Sequence, residues 1–378
     1  MKKVLLILIT IALAASCIYP YDAELKGTDE NIVVLEGEII VGGVSTMRIS
    51  TVNSFSGQIY NRETRGVATV EDDQGVVYGD PSIAPSNYAS IPMETAPANR
   101  KYRFRVGVGG DVYYSDWLQP LEPPVVEDVH IGIMPSDSSN VQVTASIDPG
   151  KDASGYVGIT YDETWEFHVD YMCRYVLDTK SWRVTERTED YPNYWCWRSN
   201  SLNGVILVNY SQIEGGKIVS FPVMNFPRIN NRNHKKYSIN VHAINIPEST
   251  YKYLKNLDDI SSSNGSLFTP NPGEMPSNLY CESDPDQRVM GYVTASKVGS
   301  KRVFMDSRYF TPKEPSTSYL FISEDHKEDY EFGFYPVDLF NLPKGRDGSY
   351  VETVYWGPMY CIDCVAAGGT KEKPDFWQ

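Results

Sequence analysis

Apolar and polar residues alternate with a period of two along much of the chain. Tyr102, Phe104, Val106 and Val108 are interleaved with Lys101, Arg103, Arg105 and Gly107. Val141, Val143, Ala145 and Ile147 alternate with Gln142, Thr144 and Ser146, and Val129, Ile131 and Ile133 with Asp128, His130 and Gly132. Successive strand side chains point to opposite faces, so each run predicts a strand with one buried and one wet face. Such strands build antiparallel sheets. Further strands are predicted over 32–41, 44–50, 67–72, 155–161, 204–210, 217–223, 237–246, 289–296 and 301–306. Asp72-Asp73-Gln74-Gly75, Gly109-Gly110-Asp111 and Asp148-Pro149-Gly150 supply tight turns between them.

One segment breaks this period. Tyr253, Leu257 and Ile260 recur at helical spacing behind Pro247 and Ser249, which predicts one short helix near 249–260. The stretches 178–203 and 261–287 carry neither period and read as loops packed over sheets. The expected fold is therefore mostly β. Pro120, Pro123 and Pro124 make the segment 118–125 a stiff linker. It divides the chain into a β-sandwich over 31–120 and a larger β-rich domain over 121–378.

The first residues set a compartment. Lys2 and Lys3 precede an apolar run from Val4 to Leu13, and Ala14, Ala15 and Ser16 are small. This is the layout of a secretory signal peptide over 1–16, too short to span a bilayer. Cys17 directly after the small residues resembles a bacterial lipobox, in which the cysteine is cleaved free and acylated. Several acyl chains on one residue suffice for stable anchoring. Asp22, Glu24, Asp29 and Glu30 make 17–30 an acidic tether, similar to a surface-export signal. The expected location is the outer membrane, held by the lipid and facing the exterior.

Charge narrows the partners. The chain has 34 basic and 49 acidic residues; without Lys2 and Lys3 the balance is 32 against 49, a formal −17. An acidic surface of this kind argues against nucleic acid as a partner.

Candidate chemistry is sparse. There is no Gly-x-Ser-x-Gly elbow, phosphate loop or His-Glu-x-x-His motif, and the five histidines stand outside metal-ligand spacings of one another. Asp162, Glu163 and Glu166 cluster around Trp165, where a solvated strand edge is the expected setting. Asp284 and Asp286 read as a structured turn, since the EF-hand pattern is missing. No metal and no cofactor is expected. Trp182, Trp195 and Trp197 fall in the expected loops and are candidates for ligand stacking. Cys173, Cys196, Cys281, Cys361 and Cys364 follow Cys17. A lone CxxC is weak evidence for zinc or thioredoxin-like chemistry, and export favours disulfides. The candidates for bonding are Cys196, Cys281, Cys361 and Cys364. A direct 361–364 bond would close a small strained ring, so a bond from one of that pair to Cys281 or Cys196 is expected.

An ordered set of segments carries a family resemblance: 17–22 (CIYPYD), 32–38 (IVVLEGE), 72–78 (DDQGVVY), 101–106 (KYRFRV), 162–167 (DETWEF), 194–197 (YWCW), 237–241 (YSINV), 249–257 (STYKYLKNL), 289–296 (VMGYVTAS), 361–364 (CIDC) and 368–377 (GGTKEKPDFW). The chain resembles the Bacteroidota lipoprotein family defined by domain of unknown function 4249. The resemblance implies an N-terminal Ig-like sandwich similar to transthyretin-like or carboxypeptidase-regulatory domains. It also implies an outer-membrane lipoprotein found beside TonB-dependent transporters of the starch-utilisation type, and it supplies no catalytic residue. The expectation is a non-enzymatic surface lipoprotein that binds or presents a nutrient, or a protein partner, to such a transporter and its partner lipoprotein. A surface hydrolase of peptides or glycans and a structural or adhesive envelope protein stay open as alternatives.

Overall fold

The structure, a computed structural model, describes residues 32–55, 58–150, 154–213, 216–262, 276–306, 318, 320–323, 325–344 and 349–377. The leader, Cys17 and the acidic tether lie outside the described residues. Among the described residues the chain is mostly β, and two sheets facing each other recur twice.

The first eight strands are β1 (Ile32–Ile40), β2 (Val44–Phe55), β3 (Gln58–Glu63), β4 (Val67–Asp72), β5 (Val77–Tyr78), β6 (Tyr88–Pro92), β7 (Tyr102–Val108) and β8 (Asp111–Ser115). The second group is β9 (Val125–Ile133), β10 (Asn140–Asp148), β11 (Tyr156–His168), β12 (Tyr175–Asp178), β13 (Arg183–Glu186), β14 (Trp195–Ser201), β15 (Ile206–Asn209), β16 (Ile218–Pro227) and β17 (Lys236–Asn245). Helix α1 (Glu248–Ser262) follows, then β18 (Leu279–Cys281), β19 (Val289–Ser296) and β20 (Gly299–Asp306). The chain closes with β21 (Phe321–Ile322), a second helix α2 (His326–Glu331), β22 (Phe334–Lys344) and β23 (Ser349–Pro358).

In the first sandwich the sheet β19-β1-β2-β3, with β6 on β2, faces the sheet β18-β8-β7-β4-β5. The predicted alternation is literal in β7, whose residues alternate between buried and partly buried. Leu35, Ile39, Met47, Ile49, Phe104 and Val293 fill the space between the sheets. This unit is not the continuous 31–120 segment. β18 joins β8, and β19 runs parallel to β1 from Val33↔Val289 to Ile40↔Ser296. A parallel pair needs a long crossover, and here nearly the whole second sandwich lies inside that connection. The stretch 261–287 likewise contains a strand, β18, rather than only loop.

Gly291 shows how closely β19 lies on β1. Its φ is +104°, and a Cβ there would sit 2.0 Å from the Leu35 carbonyl oxygen. Backbone cannot yield as a flexible side chain does, and the left-handed φ adds strain. Gly291→Ala is expected to cost about 2–3 kcal/mol, read as a lower urea midpoint at unchanged slope. A variant as stable as the parent would show that this strand pairing is looser than drawn.

The second sandwich packs β16-β10-β9 against β14-β11-β17-β20, with β15 on β11. Val143, Ile147, Ile159, Phe167, Tyr237 and Ile239 form its core. α1 bridges the two sandwiches: Tyr253 stacks on Tyr292 of β19 at 4.5 Å, and Tyr251 packs at a tilt on Tyr156 of β11 at 4.4 Å. The proline linker is pinned as well as stiff. Asn245 donates from Nδ2 to the Glu122 carbonyl at 2.9 Å, and Lys297 pairs with the Glu122 carboxylate.

A third, smaller assembly joins the hairpin β12-β13 to the sheet β21-β23-β22. Here the expectation of loop over 178–203 fails, because β13 and β14 lie within it. The expectation of a single helix fails too. Asp325 caps α2 by accepting from the Glu328 N–H at 3.0 Å, a signal too short to stand out among polar residues.

Candidate binding site

The site lies where β11 ends. At that end His168 is opposite Trp195 of β14, and Phe167 is opposite Cys196. Beyond β11 the chain folds back, with the Val169 N–H donating to the Tyr194 carbonyl at 3.2 Å and the Tyr171 N–H to the Cys361 carbonyl at 3.0 Å. The approach to β14 is a single 3-10 turn, Pro192–Tyr194. These segments leave a cleft of about 600 Å³ between them, lined by Arg174, Glu186, Arg187, Tyr191, Trp195 and Lys371 among others. That volume is within the range of small-ligand sites, about 300–1,000 Å³.

The wall of the cleft is fastened from behind. Cys196 and Cys364 form a disulfide across 168 residues. The Cys364 N–H donates to the Asn193 carbonyl at 2.8 Å. Asp363 accepts from the N–H groups of Val365 and Ala366 at 2.8 and 2.9 Å, from Asn193 Nδ2 at 2.9 Å and from the Tyr191 hydroxyl. Burial opposes the charge on Asp363, but these donors outweigh it and hold the carboxyl below the usual carboxylate range. Burial, reinforced by Asp363, pushes the Tyr191 phenol up to about 12, so it remains a donor. Lys371 Nζ donates to the carbonyls of Pro192 and Trp195 at 2.6 and 2.7 Å.

An aromatic cluster forms the other side of the wall. His168 stacks on Tyr194 at 5.1 Å and on His234 at 4.3 Å, and Trp195 meets it edge-on at 4.8 Å. A smaller cavity of about 370 Å³ opens beyond the histidines, with Asp170, Arg198 and Tyr360 in its lining. The sequence holds no local sign of the His168–His234 contact, since the two lie 66 residues apart. Among the described residues no group of three or more metal-ligating side chains converges.

The three candidate tryptophans do not share one place. Trp195 lines the cleft and is partly buried, which leaves ring surface for a ligand. Trp182 sits in the β12–β13 turn at φ +54° and packs against the Leu177, Val354 and Trp356 core. Trp197 exchanges backbone hydrogen bonds with Thr370 at 2.8 and 2.9 Å and is part of the sheet. Trp195 and Trp197 both stand on strand β14, not in a loop. Among the candidate cysteines, the observed bond is Cys196–Cys364, while Cys281 and Cys361 are free thiols in this structure, as is Cys173.

The carboxylates around Trp165 are committed elsewhere. Glu163 is fully buried and accepts from Arg232 Nη2 and Nε at 2.6 and 2.9 Å, from the Tyr237 hydroxyl at 2.9 Å and from Asn200 Nδ2 at 3.0 Å. Glu166 pairs with Lys235, and Asp162 with His242 and Arg302. The expected solvated edge is therefore wrong: β11 is an interior strand between β14 and β17. In the other acidic segment, the Asp286 N–H donates to Asp284 Oδ1 at 3.1 Å, a local turn.

Fold and site define a β-sandwich protein with a preformed, ligand-sized cleft. The chain belongs to the family described as Domain of unknown function (DUF4249), whose model matches residues 18–302, three quarters of the chain. That segment contains Arg174 to Trp195 of the cleft and ends before Lys371. No curated protein matches the chain. Among solved structures, a two-domain fibronectin type-III segment from chicken tenascin is similar at 9% identity, over 58% of this chain and 92% of that one, with a TM-score of 0.16.

Proposed function

We propose that the protein is a non-enzymatic lipoprotein of the outer-membrane surface, anchored through Cys17, that binds a nutrient or protein partner and presents it to a TonB-dependent transporter. The observation that carries the binding part is the 600 Å³ cleft, where Trp195 and Tyr191 offer aromatic surface beside Arg174, Arg187 and Glu186. Aromatic faces with a few placed polar groups are the usual lining of such sites. The fastening behind the wall supports a preformed pocket, which lowers the ordering cost of binding. The lipobox and the acidic tether support the anchor.

The hydrolase reading has one observation in its favour, because Glu186, Glu189 and Asp190 also line this cleft. All three are exposed at its rim, whereas acid and base carboxylates are usually set apart by their surroundings.

Peptide and oligosaccharide libraries offered to the mature protein test both readings. Retention of a library member, weakened at least about tenfold by Trp195→Ala, is the expected result. Product release from either library would favour the hydrolase. A gentle detergent pull-down tests the transporter, and its absence from the eluate would count against presentation.

A further inference from the structure

Cys173 and Cys361 are buried thiols that the fold brings into one small core. They share it with Val337 and Ile362 in the C-terminal assembly. The backbone already joins their segments through the Tyr171 N–H and the Cys361 carbonyl. The same two stretches of chain meet again nearby, where Tyr191 and Asn193 hold Asp363. They also carry the Cys196–Cys364 bond, with Cys364 three residues past Cys361 and Cys196 downstream of Cys173. Two chain segments thus run side by side, and each carries two cysteines. One facing couple is bonded.

The alternative is that both thiols are small apolar core residues. Cys361 Sγ does find a partner in the Pro358 carbonyl at 2.9 Å, but a thiol is a weak donor and gains little from it. Nothing in that role requires two cysteines in a core of four buried residues.

We infer that Cys173 and Cys361 form a second cross-link, parallel to Cys196–Cys364, when the chain folds in the presence of a disulfide-class oxidant. The thiolate of Cys173 attacks one sulfur of the oxidant RSSR. A mixed disulfide forms and one thiolate RS⁻ leaves. The thiolate of Cys361 then attacks the Cys173 sulfur, breaks the mixed bond and releases the second RS⁻. The two cysteines lose two electrons and two protons, and the oxidant departs as two RSH. Burial raises the Cys173 thiol and pushes Cys361 up to about 12, so the finished core holds little thiolate. The exchange therefore belongs to folding, before this core closes.

The consequence is a cleft wall tied to the C-terminal loop at two points. The inference is independent of what the cleft binds. Its test is refolding of the full chain from denaturant in reduced and oxidised glutathione, followed by alkylation with iodoacetamide in denaturant and digestion without reductant. The expected digest contains a linked Cys173–Cys361 peptide pair beside Cys196–Cys364, with Cys281 alkylated. Alkyl groups on both Cys173 and Cys361 in chains whose Cys196–Cys364 bond is closed would overturn it, as would crossed pairs such as Cys173–Cys364. In Cys361→Ser the Cys173 peptide is expected to be alkylated with Cys196–Cys364 intact. A Cys173 still bonded in that variant would assign it another partner and end the proposal.

Discussion

Replacing Cys196 and Cys364 together by alanine is expected to lower stability by about 3–5 kcal/mol. The bond spans 168 residues, and closing a loop of that length removes much of the entropy of the unfolded chain. Loop-closure entropy alone gives about 5 kcal/mol, and native-state adjustments usually return part of it. The effect should centre on the second sandwich and the tail, because Cys364 belongs to the same core as Phe167 and Val208. Urea unfolding of the double variant measures it, and the midpoint should fall in proportion. A midpoint within error of the parent would show that the tail is held by its hydrogen bonds to Asn193 and Trp197 without help from sulfur. The double variant is a cleaner probe than chemical reduction, which would open every disulfide at once.

Arg232→Ala is expected to cost about 3–5 kcal/mol. The substitution strands a carboxylate with no exposed surface, since Glu163 takes two of its four hydrogen bonds from Arg232. The guanidinium also lies 4.5 Å from the Trp165 ring, and that contact is lost with it. A double variant, Glu163→Leu with Arg232→Met, removes both charges and fills similar volume. It should recover most of the loss, because desolvating a buried pair offsets much of its attraction. Equilibrium unfolding of the parent, single and double variants decides the matter. A single variant within about 1 kcal/mol of the parent would mean that water reaches Glu163.

The sandwiches were legible because their strands alternate cleanly. The runs at Tyr102–Val108 and Val141–Ile147 keep the period, with one face buried and the other partly buried. β11 was misread at its far end because Asp162, Glu163 and Glu166 look like a wet edge. Nothing near them in sequence announces Arg232, which sits 69 residues away in a 3-10 turn. The cleft was half legible for a related reason. Trp195 could be singled out by type, but its neighbours Arg174, Arg187 and Lys371 come from three separate segments. The disulfide is narrowed by sequence to a few partners, and Cys364 is brought to Cys196 by the backbone bonds that join Cys364 to Asn193 and Thr370 to Trp197. The division at the proline linker separates β8 from β9, but the first sandwich also takes in β18 and β19 from beyond it. The strand over 289–296 is itself predicted, but its pairing with β1 is not, because a crossover partner is announced by no local pattern.

That crossover has a consequence for the order in which the protein can form. The edge of β1 finds its parallel neighbour only after Val289–Ser296 has been made. A chain synthesised from its N-terminus therefore lays down every strand of the intervening sandwich except β20 while the first one still waits with an open edge. Contacts of such separation are slow to close. An unpaired strand is also a template for the wrong partner until they do. The earliest segment of this protein to emerge is thus among the last to be completed.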